Sequence, residues 1–447
     1  MKKLLLMFVA VLAILIFVAT VGAQGGLTYD TGFQVQNLDS SSTANIVITY
    51  YNKDGTVNTN VPDTITAGKS KTYFPIDASA GFDGSAVISS DTAVAAITNV
   101  LGNGSAFGAS YGGLDQGAQV VALPLIMKQN SGFSTWFNVQ NAGASDATVN
   151  VSYAGTACTE AKTIKPGAAG TFDQATNSCL PSGYVGSAKV DAGTGGSVAA
   201  TVMQVGSTTL FAYNGFTGGD PNPVIPLVNA NNSGFITGIQ IQNTGSSPTN
   251  VTVSYTPVSG GGTACTETQS VPANNSSTFA LNAFTFGGAP STTCALGAKF
   301  VGSAEVTTNS ANADLVSIVN QLNLGTNKGS SYNAFVASQA TDEVVMPLIM
   351  DRNSGFYTGF NVQNVGSGNT VVTCNFASND GSVTGSVSSP SLSPGDAFND
   401  LQQNNLASGF VGSAVCNATG SVPIIGVVNE LGSGSGDQLF TYEGFNN

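Results

Sequence analysis

Apolar and polar residues alternate along most of the chain, and this pattern is typical of β-strands with one buried face. In one stretch, Val149, Val151 and Tyr153 alternate with Asn150 and Ser152. Short segments rich in Gly, Pro, Ser and Asn separate such stretches, and no segment after residue 23 shows a helical period. The pattern therefore predicts an all-β fold made of short antiparallel strands.

Three sequence phrases recur four times in the same order, at spacings of about 100 to 120 residues. The first phrase ends in Gln-Asn, at Asn37, Asn141, Asn243 and Asn364. The second contains Gly-Ser-Ala, beginning at Gly84, Gly186, Gly302 and Gly412. The third closes each unit around Tyr111, Tyr213, Tyr332 and Tyr442. This spacing is too long for a solenoid repeat and indicates four homologous domains in tandem.

Each repeat has room for about eight short strands, which favours an antiparallel sandwich of the immunoglobulin-like type. We predict a signal peptide over residues 1–23 and four β-sandwich repeats over residues 24–118, 119–219, 220–341 and 342–447. The short linkers predict repeats joined end to end, in an elongated molecule about 140 Å long.

The first repeat departs from the pattern, because it lacks the Pro-Leu-Ile-Met strand that opens the second repeat at Pro124 and the fourth at Pro347. Its sheet is therefore expected to have an unpaired edge near the mature N-terminus. Such an edge either accepts a strand from another chain or simply faces water.

The N-terminus has the features of a secretory leader. Lys2 and Lys3 precede an apolar run over residues 4–18, and small residues follow up to Ala23. We expect cleavage between Ala23 and Gln24, which places the protein outside the cell or on its surface, with no membrane span in the mature chain. The alternative is an uncleaved anchor, since the apolar run approaches the length needed to cross a bilayer.

Composition excludes several function classes. Charged residues make up 8% of the chain, its net charge is −13, and it contains no histidine. Negative charge argues against nucleic acid and against anionic membrane surfaces. The absence of histidine removes Ser-His-Asp and Cys-His catalysis as well as histidine metal sites.

The six cysteines fall as one pair in each of the last three repeats. Cys158 and Cys265 share the context Thr-Ala-Cys-Thr-Glu, and Cys179 and Cys294 precede the Gly-Ser-Ala strand by similar distances. In an exported chain, this correspondence predicts disulfides 158–179 and 265–294.

The cysteines of the fourth repeat, Cys374 and Cys416, replace inward-facing residues of other repeats. They predict a third bridge, which we expect to cross the core of the sandwich.

Few residues suggest chemistry. No nucleotide-binding, calcium-loop or cofactor motif is present, and no Cys-x-x-Cys pair suggests zinc. Trp136, the only tryptophan, points outward by strand parity, where the other repeats carry Gly32, Gly238 and Gly359. It is a possible contact for a sugar or a partner protein. The alternative is that it covers a neighbouring strand or a junction between domains.

The phrases Pro-Leu-Ile-Met, Phe-Asn-Val-Gln-Asn, Val-Gly-Ser-Ala and Val-Val-Asn-Glu-Leu together resemble tandem sandwich repeats of uncharacterised secreted or cell-surface bacterial proteins. More loosely, the chain is similar to immunoglobulin-like adhesins and surface-layer proteins. The resemblance implies a structural or adhesive role as spacer and contact surface, with other surface proteins or glycans as partners and with possible self-assembly. An array of carbohydrate-binding modules is the alternative. A hydrolase is disfavoured, because acidic residues do not recur between repeats.

Overall fold

The computed structural model describes residues 12–19, 26–281, 291–310 and 313–446. These residues form an all-β structure of antiparallel strands, which confirms the predicted fold class. Each repeat contributes two sheets packed face to face, and each sheet takes its strands from one repeat. The remainder of the predicted signal peptide, with its cleavage site after Ala23, lies outside the described residues.

The strands have the following bounds. In the first repeat they are β1 Leu12–Ala19, β2 Tyr29–Asn37, β3 Ala44–Asn52, β4 Val57–Ile65, β5 Ser70–Tyr73, β6 Asp83–Ser90, β7 Val94–Gly102 and β8 Phe107–Gly112. In the second repeat they are β9 Val120–Lys128, β10 Ser134–Asn141, β11 Ala147–Tyr153, β12 Thr159–Ile164, β13 Ala169–Asp173, β14 Tyr184–Asp191, β15 Val198–Val205 and β16 Leu210–Asn214.

The third repeat contains β17 Pro223–Ala230, β18 Phe235–Asn243, β19 Thr249–Pro257, β20 Cys265–Val271, β21 Asn275–Phe279, β22 Ser291–Thr292, β23 Phe300–Thr308, β24 Leu315–Asn323, β25 Lys328–Asn333 and β26 Phe335–Val336. The fourth contains β27 Glu343–Asp351, β28 Phe356–Asn364, β29 Val372–Ser378, β30 Thr384–Ser388, β31 Ala397–Leu401, β32 Phe410–Ala418, β33 Ile424–Gly432, β34 Leu439–Glu443 and β35 Phe445–Asn446. Short 3-10 turns span Ala337–Gln339, Gln402–Asn404 and Thr419–Ser421.

The two sheets of a repeat differ in how they are buried. In the outer sheet of the second repeat, ordered β12-β11-β14-β9, strand β11 alternates strictly between buried and exposed side chains. In the inner sheet, ordered β13-β10-β15-β16, every residue of β15 and β16 is buried. One face of the inner sheet packs on the repeat's own core, so its other face must be covered by neighbouring repeats.

The asparagine of the repeated Gln-Asn phrase is a structural residue. The Asn141 side chain donates to the carbonyl oxygens of Ser145 at 2.7 Å and Ile164 at 2.9 Å, and it accepts from the Gly143 amide at 2.9 Å. The same three-way arrangement recurs at Asn37, Asn243 and Asn364. The repeated asparagine therefore satisfies buried backbone groups at a turn, as the sequence predicts.

The three predicted disulfides are present. Cys158–Cys179, Cys265–Cys294 and Cys374–Cys416 have Cα separations of 5.5, 4.9 and 3.8 Å. The expectation that the third bridge crosses the core is wrong, because Cys374 and Cys416 lie opposite each other on β29 and β32, which are neighbours in one sheet.

The edge of the first repeat is occupied. Strand β1 pairs with β6 in antiparallel register from Leu12 opposite Ser90 to Ala19 opposite Asp83, in the place that β9 takes beside β14. In the full chain a segment of the predicted signal peptide therefore supplies the missing strand. Cleavage after Ala23 would remove β1, so the unpaired edge of the mature chain stays a prediction.

The four repeats form a closed ring, and the predicted end-to-end arrangement is wrong. The closing strands β8, β16, β25 and β34 pack against one another around a common axis. The first and fourth repeats meet directly, since the Gln34 side chain donates to the Pro347 carbonyl oxygen and the Ser70 hydroxyl donates to Asn379 Oδ1 at 2.9 Å. The closure buries the outer faces of the inner sheets, and the lack of alternation in their strands hides this second buried face in the sequence.

Small-angle scattering of the purified protein will test the ring. We expect a radius of gyration close to the roughly 22 Å of a compact chain of this length. A rod of about 140 Å would instead give a value near 40 Å, and that result would contradict the closed arrangement.

Candidate functional site at the seams between repeats

Polar side chains join the four closing strands at the centre of the ring. One position of the closing strand is equivalent in all four repeats, because it pairs with the same position of the strand before it in each repeat. The residues there are Gly112, Asn214, Asn333 and Glu443. The Asn214 side chain donates to the Gly112 carbonyl oxygen at 2.7 Å, and that of Asn333 donates to the Asn214 carbonyl oxygen at 2.8 Å. The Asn333 amide donates to Glu443 Oε1. In the second and third repeats this side chain thus donates to the backbone of the preceding repeat, and in the fourth repeat it accepts from that backbone.

Facing residues at two of the contacts between repeats are complementary in size. A Cβ atom on Gly108 would lie 2.4 Å from the ring of Phe440, and one on Gly329 would lie 2.4 Å from the ring of Phe211. The positions of Phe211 and Phe440 are occupied by Ala109 and Ser330 in the other two repeats. At both contacts a large side chain of the second or fourth repeat therefore faces a glycine of the first or third. Two adjacent repeats with Phe would overlap, and two with Gly would leave a void.

Asp437, in the loop between β33 and β34, contacts all three other repeats. Its amide donates to the Ala106 carbonyl oxygen at 2.9 Å, and its carboxyl accepts from the amides of Leu210 at 2.6 Å and Gly329 at 2.7 Å. Burial raises the pKa of Asp437 to about 8, against the opposite effect of these two bonds and of Lys328. Asp437 thus connects all four repeats at one end of their common axis.

We use the word seam for the surface between the inner sheets of two adjacent repeats. At seam 2–3, Gln204 and Asn320 exchange hydrogen bonds, Nε2 to Oδ1 at 3.2 Å and Nδ2 to Oε1 at 2.8 Å. At seam 3–4, the equivalent Gln321 and Asn429 do the same at 3.1 and 3.4 Å. A reciprocal amide pair of this kind satisfies all four polar groups that face each other.

Seam 4–1, which closes the ring, carries an acid in place of the glutamine. Asn99 Nδ2 donates to Glu430 Oε2 at 3.0 Å. Glu430 is fully buried, and burial raises its pKa to about 8. Glu430 Oε1 and Asn99 Oδ1 are both buried and form no hydrogen bond with any described residue. The closing seam therefore shows one hydrogen bond between its polar side chains where each of the two amide seams shows two.

Seam 1–2 is apolar, and it buries Trp136. The equivalent polar positions are Val100 and Met203, which belong to one buried cluster with Trp136 and Tyr29. The indole is 3% exposed, stands edge-on to the Tyr29 ring at 5.5 Å, and donates from Nε1 to the Tyr29 hydroxyl at 3.3 Å. Of the two alternatives for Trp136, the structure confirms the junction between domains: the side chain leaves its own sandwich and the first repeat covers it, so it is not an exposed ligand contact.

Where other repeats carry glycine in place of Trp136, two seams contain a cleft. The cleft at seam 4–1 has a volume of about 370 Å³ and is lined by Gly32, Phe74, Phe356, Asn99 and Glu430 among others. That at seam 3–4 has a volume of about 270 Å³ and includes the equivalent Gly359 and Phe235 in its lining. The seam 4–1 cleft combines apolar walls with a buried acid of raised pKa, which makes it the candidate functional site.

The sequence contained a signal for this site that alternation does not show. Aligned on the repeats, Val428-Asn429-Glu430-Leu431 stands where the third repeat has Val319-Asn320-Gln321-Leu322. An acid in place of a glutamine at a buried position marks Glu430, but its partner Asn99 is identified only by the ring closure.

Two further properties concern the described residues only. None of their helices has the length and hydropathy to cross a bilayer. They contain no group of three or more Cys, Asp or Glu residues placed to hold a metal ion.

No protein-family model matches the chain, and no curated protein matches it. Thermotoga maritima 1070 is similar at a TM-score of 0.21, with 16% identity over 24% of this chain and 96% of that one. A glycoside hydrolase family 32 protein from Bifidobacterium adolescentis is similar at a TM-score of 0.13, with 8% identity over 98% of this chain and 96% of that one. Scores this low carry no argument about fold or function.

Proposed function

We propose that this chain is an exported, non-catalytic structural and adhesive protein of the cell surface or extracellular matrix. Its four sandwiches act as one closed body whose outer sheets and loops form the contact surface. The role of an extended spacer is not part of this proposal, because the repeats meet around a common axis.

One observation supports the non-catalytic role above others. Three buried carboxyls of the fourth repeat, those of Glu430, Asp437 and Glu443, join it to other repeats, at positions where other repeats carry a neutral amide or where backbone amides converge. Glu430 stands in the place of Gln204 and Gln321, and Glu443 in the place of Asn333. A pair of carboxyls with raised pKa would otherwise suggest acid–base chemistry, but here the equivalent positions explain both as joints.

The carbohydrate-binding alternative loses the observation that favoured it. Trp136 was the aromatic side chain available for stacking on a sugar, and it is buried between the first two repeats. Three intrachain disulfides support an oxidising compartment, which agrees with export.

Fractionation of a bacterial host that expresses the full chain will test the proposal. We expect the protein in the surface or extracellular fraction, with an N-terminus at Gln24 and three intact disulfides, and binding to immobilised surface polymers or to cells. Protein that stays in the cytoplasm with free thiols, or that hydrolyses glycosides or esters from a chromogenic panel, would overturn the proposal.

A further inference from the structure

We propose that the first repeat of the mature chain binds an apolar β-strand of another exported protein, inserted beside β6 in the place that β1 holds in the full chain. This inference rests on the proposed export and on cleavage after Ala23, which removes β1 together with the leader. We use the word groove for the space beside β6, between the two sheets of the first repeat, that β1 leaves.

The other three repeats show what such a groove holds. Their first strands, β9, β17 and β27, pair with β14, β23 and β32 as β1 pairs with β6. Every residue of β17 is buried, and β9 and β27 are buried except at terminal residues. A first strand is therefore part of the core of its sandwich and does more than extend the edge of a sheet.

In the second repeat, the first strand joins the two sheets. Val121 of β9 lies opposite Val190 of β14, and both belong to one buried cluster with Val202 of the inner sheet. In the first repeat, Ile88 of β6 takes the place of Val190 and belongs to the core. Removal of β1 therefore leaves a core residue at an open edge, and exposed apolar core of this kind favours association with a partner.

A tyrosine of the closing strand binds the backbone of the first strand. The Tyr213 hydroxyl accepts from the Leu125 amide at 3.2 Å and donates to the Leu125 carbonyl oxygen at 2.6 Å. The same pair of bonds recurs in the third and fourth repeats. Tyr111 occupies the equivalent position in the first repeat, since it lies opposite Thr98 as Tyr213 lies opposite Val202. The first repeat thus has the residue type that fixes a first strand from the inner side.

Contacts other than those of β1 hold the groove in place. Strand β6 pairs with β3 from Gly84 to Ser90, and the Ser85 hydroxyl donates to the Gly167 carbonyl oxygen of the second repeat at 2.5 Å. The inner sheet of the first repeat is covered by its neighbours at seams 1–2 and 4–1. The ring therefore presents the groove on a fixed framework, which reduces the ordering cost of binding.

The occupant must come from a different protein. Residues 24–447 belong to four repeats, but their described part contains three first strands, β9, β17 and β27, and each of these fills its own repeat. A second copy of the mature chain therefore has no spare first strand among its described residues. A separate exported protein with an extended apolar segment does not have this restriction.

The resident first strands specify the chemistry of that segment. Each is eight or nine residues long and contains apolar-Pro-Leu, at Pro124, Pro226 and Pro347. The pairing register shifts around each of these prolines. Strand β1 has no proline and pairs with β6 in unbroken register, so it lacks the feature that the resident strands share. We therefore expect the partner segment to carry apolar-Pro-Leu within eight or nine mainly apolar residues.

A synthetic peptide of residues 119–129, which contains β9, is the probe. It is added to the mature protein purified from the exported fraction, with its N-terminus at Gln24 verified by sequencing. We expect saturable binding of one peptide per chain by calorimetry. Amide hydrogen exchange of residues 83–90 should slow by about tenfold or more, because β6 gains a hydrogen-bonded neighbour. Exchange of residues 184–191 should not change, since β9 already pairs with β14.

Peptide variants test the fit without altering the folding of the protein. Leu125→Asp in the peptide should weaken binding by about thirtyfold or more, because it places a charge in the core. Val120→Asp is the matched control and should change binding by less than about threefold, since Val120 is 36% exposed at the end of its strand. The full chain that retains residues 1–23 should bind the peptide at least about tenfold more weakly, because β1 fills the groove.

Absence of saturable binding to the mature protein would overturn the proposal, and so would protection of β14 in place of β6. An exported protein that keeps residues 1–23 would also overturn it, because its groove is filled, but would leave the surface role intact. Dimers of the mature protein that protect residues 83–90 without peptide would show that the edge pairs with a second copy, against the proposal. Retention in the cytoplasm would overturn the proposed function and this inference with it, and fractionation shows that before any peptide is added.

Discussion

The Glu430→Gln variant is expected to be more stable than the wild-type protein at pH 8, by on the order of 3 to 5 kcal/mol. Burial raises the pKa of Glu430 from 4.5 to about 8, so the native state favours the protonated acid. The unfolded chain ionises this group near its ordinary pKa. Stability from Glu430 is therefore complete below about pH 4.5 and is lost as the pH rises towards 8. Glutamine cannot ionise, and it can exchange two hydrogen bonds with Asn99 as Gln204 does with Asn320.

Denaturant unfolding from pH 5 to pH 9 measures this effect. The wild-type free energy of unfolding should fall over that range, and the variant should lose much of the fall. A residual slope is expected from Asp437 and Glu443, whose pKa values burial raises to about 8 and about 7. Gln321→Glu is the matched control, since it places an acid in the equivalent seam and should steepen the dependence. A Glu430→Gln protein with an unchanged pH profile would show that this carboxyl is ionised and solvated in the native state.

Trp136→Gly is expected to lower the free energy of unfolding by about 3 to 5 kcal/mol, the usual cost of deleting a buried large aromatic side chain. The indole is 3% exposed, and its removal also deletes the hydrogen bond to the Tyr29 hydroxyl. The variant places at seam 1–2 the glycine that the other three repeats carry at the equivalent position of their own seams. Because the cavity has the shape of the lost side chain, added indole should restore part of the stability.

Circular dichroism during denaturant unfolding suits this variant, since it lacks the only tryptophan. Leu324→Ala serves as the control, because Leu324 is 69% exposed and its truncation should change stability by less than about 0.5 kcal/mol. If Trp136→Gly lowered the free energy of unfolding by no more than Leu324→Ala does, the indole would face solvent. The hypothesis that Trp136 contacts a ligand would then be favoured again.

Local pattern predicted a large part of this structure. The alternation at Val149, Val151 and Tyr153 became strand β11 with those side chains buried. The cysteine pairs followed from matching positions in the repeats, as did the structural role of Asn141. Prediction failed where a strand is buried on both faces. Strands β15 and β16 do not alternate between apolar and polar residues, because one face packs on their own core and the other on neighbouring repeats. The same failure produced the wrong expectation of an elongated chain, and it left the two alternatives for Trp136 undecided.

The sequence by itself determined the all-β fold, the four repeats and the three disulfides. These depend on a period of two residues, on turn chemistry and on correspondence between repeats, all of which can be read along the chain. Only the tertiary structure decided that the repeats close into a ring, that β1 completes the first sandwich of the full chain, and that Glu430 meets Asn99 across a sequence separation of 331 residues. The physical reason is that inner-sheet side chains are apolar or amide-bearing on both faces. Such a face must be covered, but the local pattern does not show which repeat covers it. The fit of facing residues, such as Gly108 and Phe440, is visible only in the folded structure.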